Sequence, residues 1–244
     1  MSQPKLIRLE RVESTQDVIH TLAAEGAPAS TAVAAIEQTG GRGRRGRRWS
    51  SPPGGVWLSL LYRPTAGNAA ELLSLRIGLA AAAALDRIAG AGAVSLKWPN
   101  DLMLGDAKLG GVLCEARWQG DVPAWVAAGI GVNVRNAPPA DARLPGARLG
   151  DRVPSIGVDD VLEPLTDALR RVDPSGAALS PSELAEFAAR DWLHGRSLLE
   201  PLAGTAVGID ASGALLVRTA AGAVDRVRAG SVVAAGVATR SLNN

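Results

Sequence analysis

The 244-residue chain is predicted to adopt an α+β fold: a mixed sheet flanked by helices over residues 1–194, then a small β-barrel or sandwich over 195–244. Three observations lead there. Apolar, β-branched segments follow one another between residues 94 and 134 across short turns, which builds a sheet largely from sequence neighbours. Four helix patterns with recognisable starts lie around them. After Gly195 the text changes to short apolar segments separated by Gly204, Gly213, Gly222 and Gly230.

In chain order, Ser14 with Asp17 fits a capping box that opens a helix running to about Gly26. Residues 31–37 read as a strand. Residues 38–55 hold six glycines, two prolines and five arginines and read as a long loop. A strand over 56–62 precedes a helix over 68–89, capped by Asn68 and closed by Gly90. Strands follow at 94–98, 102–104, 108–117 and 125–134, with the tightest turn at Gly105-Asp106. Residues 135–154 read as a surface connection. Helices then cover 159–172 and 181–193, the second opening on Pro181 after Ser180. Five short strands at 197–199, 206–209, 214–218, 224–227 and 231–234 complete the chain.

The charge is distributed unevenly. Of 26 basic residues 23 are arginine and only Lys5, Lys97 and Lys108 are lysine. The net charge of +2 coexists with a pI near 9.1 because arginine keeps its proton and few groups titrate between pH 7 and 10. Residues 38–49 carry five arginines and no acid, so the rest of the chain is net −3. Basicity is therefore one local feature. With 47% hydrophobic and 20% charged residues the chain is neither disordered nor fibrous. Its longest apolar run in the most membrane-like segment, Ile77 to Leu85, falls short of the roughly 18 residues a bilayer requires. A lone Cys114, two distant histidines and no signal-like N-terminus point to a reducing compartment, the cytoplasm, and to no protein-held metal. Cys114 lies in an apolar strand and reads as an inert thiol; His20 and His194 receive no role.

The most unusual text is Gly41-Arg42-Gly43-Arg44-Arg45-Gly46-Arg47-Arg48-Trp49. Glycine lets backbone N–H groups approach an anion, and guanidinium binds carboxylate or phosphate in bidentate fashion. The Gly41, Gly43, Gly46 spacing matches the dinucleotide fingerprint by letter only, because prolines rather than a helix follow and position 66 is alanine. A surface loop, a nucleic-acid patch and a small-anion site all fit the loop taken alone. Five like charges in seven positions repel one another, so order here requires negative charge from elsewhere. Two of the three lysines lie close by in sequence to each other, in Lys97-Trp98-Pro99-Asn100-Asp101 and Lys108-Leu109-Gly110-Gly111. Lysine is a compact point charge suited to a phosphate or carboxylate oxygen, and the two glycines would admit a ligand against the strand.

Read together with Glu13-Ser14-Thr15, Gln38, Trp49-Ser50-Ser51-Pro52 and Gly129-Ile130-Gly131-Val132-Asn133, these segments resemble the biotin protein ligase family in one register. The resemblance implies a sheet of the class II synthetase and biotin ligase type with an SH3-like C-terminal barrel. It implies an ATP-dependent ligase that makes biotinyl-5'-AMP and passes the biotinyl group to a lysine of a biotin carboxyl carrier protein. By the same resemblance Ser14, Thr15 and Gln38 meet the biotin ring, with Gly110 and Gly111 beside it. Arg42, Gly43 and Arg44 close over biotin and phosphate, and Arg45 and Arg47 lie in the same loop. Lys108 meets the reacting carboxylate and phosphate, Trp49 packs on adenine, and Asn133 contacts the adenylate. Lys108, Arg42, Arg45 and Asp101 are the catalytic candidates, Asp101 handling the acceptor lysine. ATP enters with Mg2+. Gln16 stands where many members have asparagine, with little consequence expected. Only thirteen residues precede Ser14, so no DNA-binding domain and no DNA partner are expected, nor a membrane.

Two other readings share the residues: ligation of a related acid such as lipoate, and an arginine-rich nucleic-acid module. The second has a cheap discriminator. A nucleic-acid patch binds a fluorescent oligonucleotide with an affinity that falls steeply between two salt concentrations; the small-ligand reading expects no such binding.

Overall fold

The computed structural model describes residues 5–65, 67–138 and 144–236. Its larger sheet has the spatial order β1-β2-β3-β7-β6-β5-β4, with β1 at Leu6–Val12, β2 at Ala32–Gln38, β3 at Gly55–Tyr62, β4 at Val94–Lys97, β5 at Asp101–Leu104, β6 at Ala107–Gln119 and β7 at Val122–Asn133. Only β1 and β2 run parallel; every other neighbour is antiparallel, so the sheet is mixed as expected. Strand β1 was not foreseen. Its Leu-Ile-Arg-Leu-Glu-Arg-Val text is half polar because it is an edge strand paired on one side only.

Side-chain alternation assigns the two faces of this sheet. On one face, Ala32 and Ala34 of β2, Leu58, Leu60 and Tyr62 of β3 and Ala128, Ile130 and Val132 of β7 join the main core beneath α2 (Gly67–Ala89) and α3 (Asp159–Arg170). The opposite face supplies Val33, Leu61 and Ala127 to a smaller cluster with Ile19 and Ala23 of α1 (Thr15–Ala24). Helix α2 is buried along most of its length, as Leu73, Ile77, Ala81, Ala82 and Leu85 show, which explains its unbroken apolar text. It ends as expected at Gly90, whose φ of +103° suits glycine. The Asn68 side chain lies outside the described residues. The Ser14 side chain caps α1 by accepting from Gln16 N at 3.3 Å, but the reciprocal half of the expected capping box is missing because Asp17 turns to Arg42. Helix α4 (Pro181–Arg190) does carry a complete capping box between Ser180 and Glu183.

The C-terminal strands β8 (Ser197–Glu200), β9 (Gly204–Ile209), β10 (Leu215–Arg218), β11 (Val224–Val227) and β12 (Val233–Ala234) form an antiparallel sheet of order β11-β10-β9-β8-β12. The expected small β unit is there as an open five-stranded sheet, with β11 and β12 as its edges. Its Leu198, Ala206, Leu215 and Val217 join the main core rather than a separate one. Trp98 Nε1 donates to Gly213 O at 2.9 Å across the junction. The expected surface connection at 135–154 is only partly that. Ala147 and Leu149 are buried, and the backbone of Lys108 bonds Pro145 O and Ala147 N.

Gly110 and Gly111 test this packing. They fall on opposite faces because β6 alternates: Gly111 lies opposite Gly131 and Gly110 opposite Val132. A Cβ on Gly110 would sit 2.4 Å from Gly131 O, whereas one on Gly111 would meet only ordinary contacts at 3.5–3.6 Å. Gly110→Ala should therefore lower stability by ~1–3 kcal/mol, the usual cost of overpacking, and Gly111→Ala by well under ~1 kcal/mol, both read from urea unfolding midpoints.

Candidate active site

The site lies on the α1 face of the sheet, where side chains beyond the helix become small. Along β7 the residues on that face run Ala127, Gly129, Gly131, Asn133; on β3 Ser59 follows Leu61, and on β6 Gly111 follows Leu113. Removing side-chain volume from adjacent strands opens a cavity of about 490 Å3. Of the fourteen residues predicted from the sequence, all but Gly110 line it, and Gly110 faces the core for the reason given above.

One end is a hydrogen-bonding pocket built at the start of α1. Ser14 and Thr15 are 2% exposed, so their polar groups need partners. The carbonyl Oε1 of Gln38 accepts from Thr15 N at 2.8 Å and from Thr15 Oγ1 at 3.0 Å, and Gln38 Nε2 donates to Ser51 Oγ at 2.8 Å. Ser59 Oγ lies 2.7 Å from Thr15 Oγ1. Gln16 belongs here too, although no role was expected for it. Its Nε2 donates to Leu113 O at 3.0 Å, and a Cβ on Gly129 would come within 2.6 Å of that nitrogen. Gln16 Oε1 is buried with no hydrogen-bond partner among the described residues.

The other end is cationic. Lys108 Nζ donates to Asp101 Oδ1 at 2.5 Å, and Asp101 Oδ2 stands 3.9 Å from Lys97 Nζ, so one carboxylate lies between two lysines. Asp101 is thus committed first to placing Lys108. Trp49 supports the same ammonium, its ring centroid 5.0 Å from Nζ. Trp49 itself fits only because position 131 is glycine, where a Cβ would fall 2.6 Å from Nε1. Arg44 enters from the arginine segment and donates from Nη1 to Asn100 Oδ1 at 3.3 Å. Asn100 is held by β6, its Nδ2 donating to Val112 O at 2.7 Å. Burial, then the neighbouring Arg45, push the Arg44 guanidinium below its usual range; Asp101 only partly opposes them.

The arginine segment is more regular than expected. Trp49 N donates to Gly41 O at 2.8 Å, Gly43 N to Arg47 O at 2.7 Å, and a short 3-10 turn over Arg44–Gly46 caps a small hairpin. Arg45, at the turn, has φ +59° and is followed by Gly46 at +71°. Arg42 leaves the hairpin toward Asp17 and Glu115, two acids that supply negative charge from within the protein.

Asn133 reaches the cavity, but its amide is engaged in structure: Nδ2 donates to Ala147 O at 3.0 Å and Oδ1 accepts from Asn136 Nδ2 at 2.9 Å. It pins the 144–149 segment over the site. That segment, Trp192 and residues 230–234 of the C-terminal sheet add walls that sequence reasoning missed, since tertiary packing alone brings them here. Ser59, Lys97 and Asn100 were missed as well, although the last two sit inside a quoted motif. Among the described residues no group of three or more His, Cys, Asp or Glu could hold a metal, and no helix is long and apolar enough to cross a membrane.

Comparison with known proteins gives the same register. The model of the biotin/lipoate A/B protein ligase family matches residues 9–133, and that of the biotin protein ligase C-terminal domain matches residues 198–233. A biotin--[acetyl-CoA-carboxylase] ligase of Paracoccus denitrificans is 37% identical over 227 residues, 88% of this chain and 94% of the relative. A biotin protein ligase from Aquifex aeolicus, solved with biotin and ATP, superposes with a TM-score of 0.74 at 27% identity, covering 94% of this chain and 98% of the other. One from Leishmania major, solved with biotinyl-5-AMP, gives a TM-score of 0.65 at 29% identity, covering 93% and 100%.

Beside the site, His20 also has partners that its sequence did not reveal. Trp125 Nε1 donates to His20 Nδ1 at 2.9 Å, which leaves the proton of the neutral ring on Nε2, 3.4 Å from Glu115 Oε2. Burial, then Arg117, hold the His20 pKa below 6.5, against the pull of Glu115 and Asp17. A base that the fold keeps neutral costs nothing above pH 6.5 and destabilises as pH falls below it. Urea unfolding at pH 7.5 and pH 5 should show His20→Asn losing less stability than the parent protein; equal losses would refute the assignment.

Proposed function

Because the chain belongs to the biotin/lipoate A/B protein ligase family, we propose that it activates biotin as biotinyl-5'-AMP and transfers it to a lysine of a biotin carboxyl carrier protein. One observation carries this reading: a single cavity joins a hydrogen-bonding pocket at Ser14, Thr15 and Gln38 to a cationic end at Arg44 and Lys108. The first suits the polar ring of biotin. The second suits the place where a carboxylate meets a phosphate.

In the first step a carboxylate oxygen of biotin attacks the α-phosphorus of ATP. The new C–O–P bond is a mixed anhydride, the Pα–O bond to the β-phosphate breaks, and pyrophosphate leaves with the electron pair. Attack of anion on anion is opposed by charge repulsion, which fixed cations relieve. Lys108, held by Asp101 and Trp49, is placed to bridge carboxylate and α-phosphate. Arg44 supplies a second positive charge, while Arg45 and Arg47 remain on the hairpin for the outer phosphates. Mg2+ arrives on the triphosphate as part of that substrate. Trp49 offers its ring to adenine, and Asn133 holds the covering segment beside it.

In the second step the acceptor amine attacks the biotinyl carbonyl, an amide forms, and AMP leaves. At pH 7 only about one in 10³ to 10⁴ lysines of ordinary pKa is neutral. Asp101, at the cavity wall, is our candidate for receiving the ammonium and its proton, a role that requires Lys108 to shift toward AMP. The hairpin and the 144–149 segment shield the anhydride from water. We also place the junction of the two units near His194, supported by the C-terminal match at 198–233, and the protein in the cytoplasm.

Exchange of labelled pyrophosphate into ATP tests the first step. It should depend on biotin, and Lys108→Ala should reduce it by about 10²-fold or more, the scale for removing a transition-state charge partner. Lipoate offered in parallel should give little exchange. Absence of biotin-dependent exchange would sink the reading; exchange with lipoate alone would transfer it to that acid.

A further inference from the structure

Arg42 is unlike the other arginines of its hairpin because its hydrogen bonds are all directed to protein carboxylates. Nη1 and Nη2 grip Asp17 of α1 at 2.9 and 2.8 Å, while Nε and Nη2 reach Glu115 of β6 at 3.2 and 2.9 Å. The hydrogen bonds to Asp17, then those to Glu115, push its pKa above the usual arginine range. Asp17 is half exposed, and single exposed ion pairs contribute little. This one is bidentate on one acid, doubly bonded to a second, and anchored on a helix and a strand already joined by the hydrogen bond from Gln16 Nε2 to Leu113 O.

We infer that Asp17 and Glu115 are positioning residues for the proposed ligase reaction, and that Arg42 is the anchor through which they act. Two negative charges offset part of the hairpin's five positive ones, which otherwise repel. The ladder from Gly41 to Trp49 transmits the anchorage. Arg44, two residues beyond Arg42, is thereby directed into the cavity, and Trp49, at the return of the hairpin, is laid over Gly131. Arg42 thus leaves the set of cations that meet phosphate. The inference rests on the ligase reading only for what the hairpin covers, namely the adenylate.

The test is the double variant Asp17→Asn, Glu115→Gln, which keeps side-chain shape and removes both charges, compared in the full chain with the parent and with Asp17→Glu. Trypsin cleavage within residues 42–48, measured without ligand, should be about tenfold faster in the double variant, with cleavage elsewhere and the thermal midpoint unchanged. Labelled biotinyl-adenylate should escape from it several-fold faster, while Asp17→Glu, which keeps both charges, should stay close to the parent in both readouts. Parent-like cleavage and retention would overturn the inference. So would cleavage that spreads along the chain with a fallen midpoint, which assigns the acids to folding instead. Because cleavage is read without ligand, a parent protein that makes no adenylate sinks the functional reading and still tests the anchor.

Discussion

A site that joins two anions must gather positive charge, and gathered positive charge resists being held together. Much of the architecture around this cavity answers that constraint. Asp101 stands between Lys97 and Lys108 and keeps two ammonium groups on one wall. Asp17 and Glu115 balance Arg42 at the base of the hairpin. Arg44 is left to the neutral amide of Asn100, and burial, then the neighbouring Arg45, hold its pKa below the usual arginine range. An incoming carboxylate and triphosphate bring the negative charge that this end of the cavity lacks. The same logic explains the charge distribution, with the basic excess confined to one hairpin on an otherwise mildly acidic chain.

Space for the ligand comes from strand alternation. The core face of β3 and β7 carries large apolar side chains, and the opposite face is filled by α1 at one end and emptied by Ser59, Gly129 and Gly131 at the other. The glycines serve two purposes. They leave room for the ligand, and they let Gln16 and Trp49 lie against the sheet where a methyl group would collide. At the site end of the sheet, packing and ligand space therefore divide by face, as the consecutive Gly110 and Gly111 illustrate.

Elements with their own punctuation were legible in the sequence. Ser14, Gly90, Ser180 and the glycine turns after Gly195 marked boundaries that recur in the structure, because capping and positive φ are local chemistry. Strand β1 was not legible, since an edge strand exposes one side and mixes charge with apolar residues. The segment at 144–149 escaped because its burial comes from main-chain bonds to Lys108 and a side-chain bond to Asn133, neither of which leaves a pattern in Pro- and Ala-rich text. Most of the candidate residues that line the cavity could be named because they occur in compact motifs that resemble a known family. Their division of labour could not. Nothing in the arginine run says which guanidinium turns outward to protein acids and which turns inward, and the two glycines at 110 and 111 look alike until β6 is placed.

In the proposed reaction one cavity engages both ends of a joined biotinyl-adenylate. Calorimetric titration of the protein with biotin, with ATP, and with a non-hydrolysable biotinyl-5'-AMP analogue tests it most directly. The analogue should bind at least ~10²-fold more tightly than biotin or ATP alone, as expected when one site engages both ends of a reaction intermediate. An analogue that binds no better than biotin would contradict it.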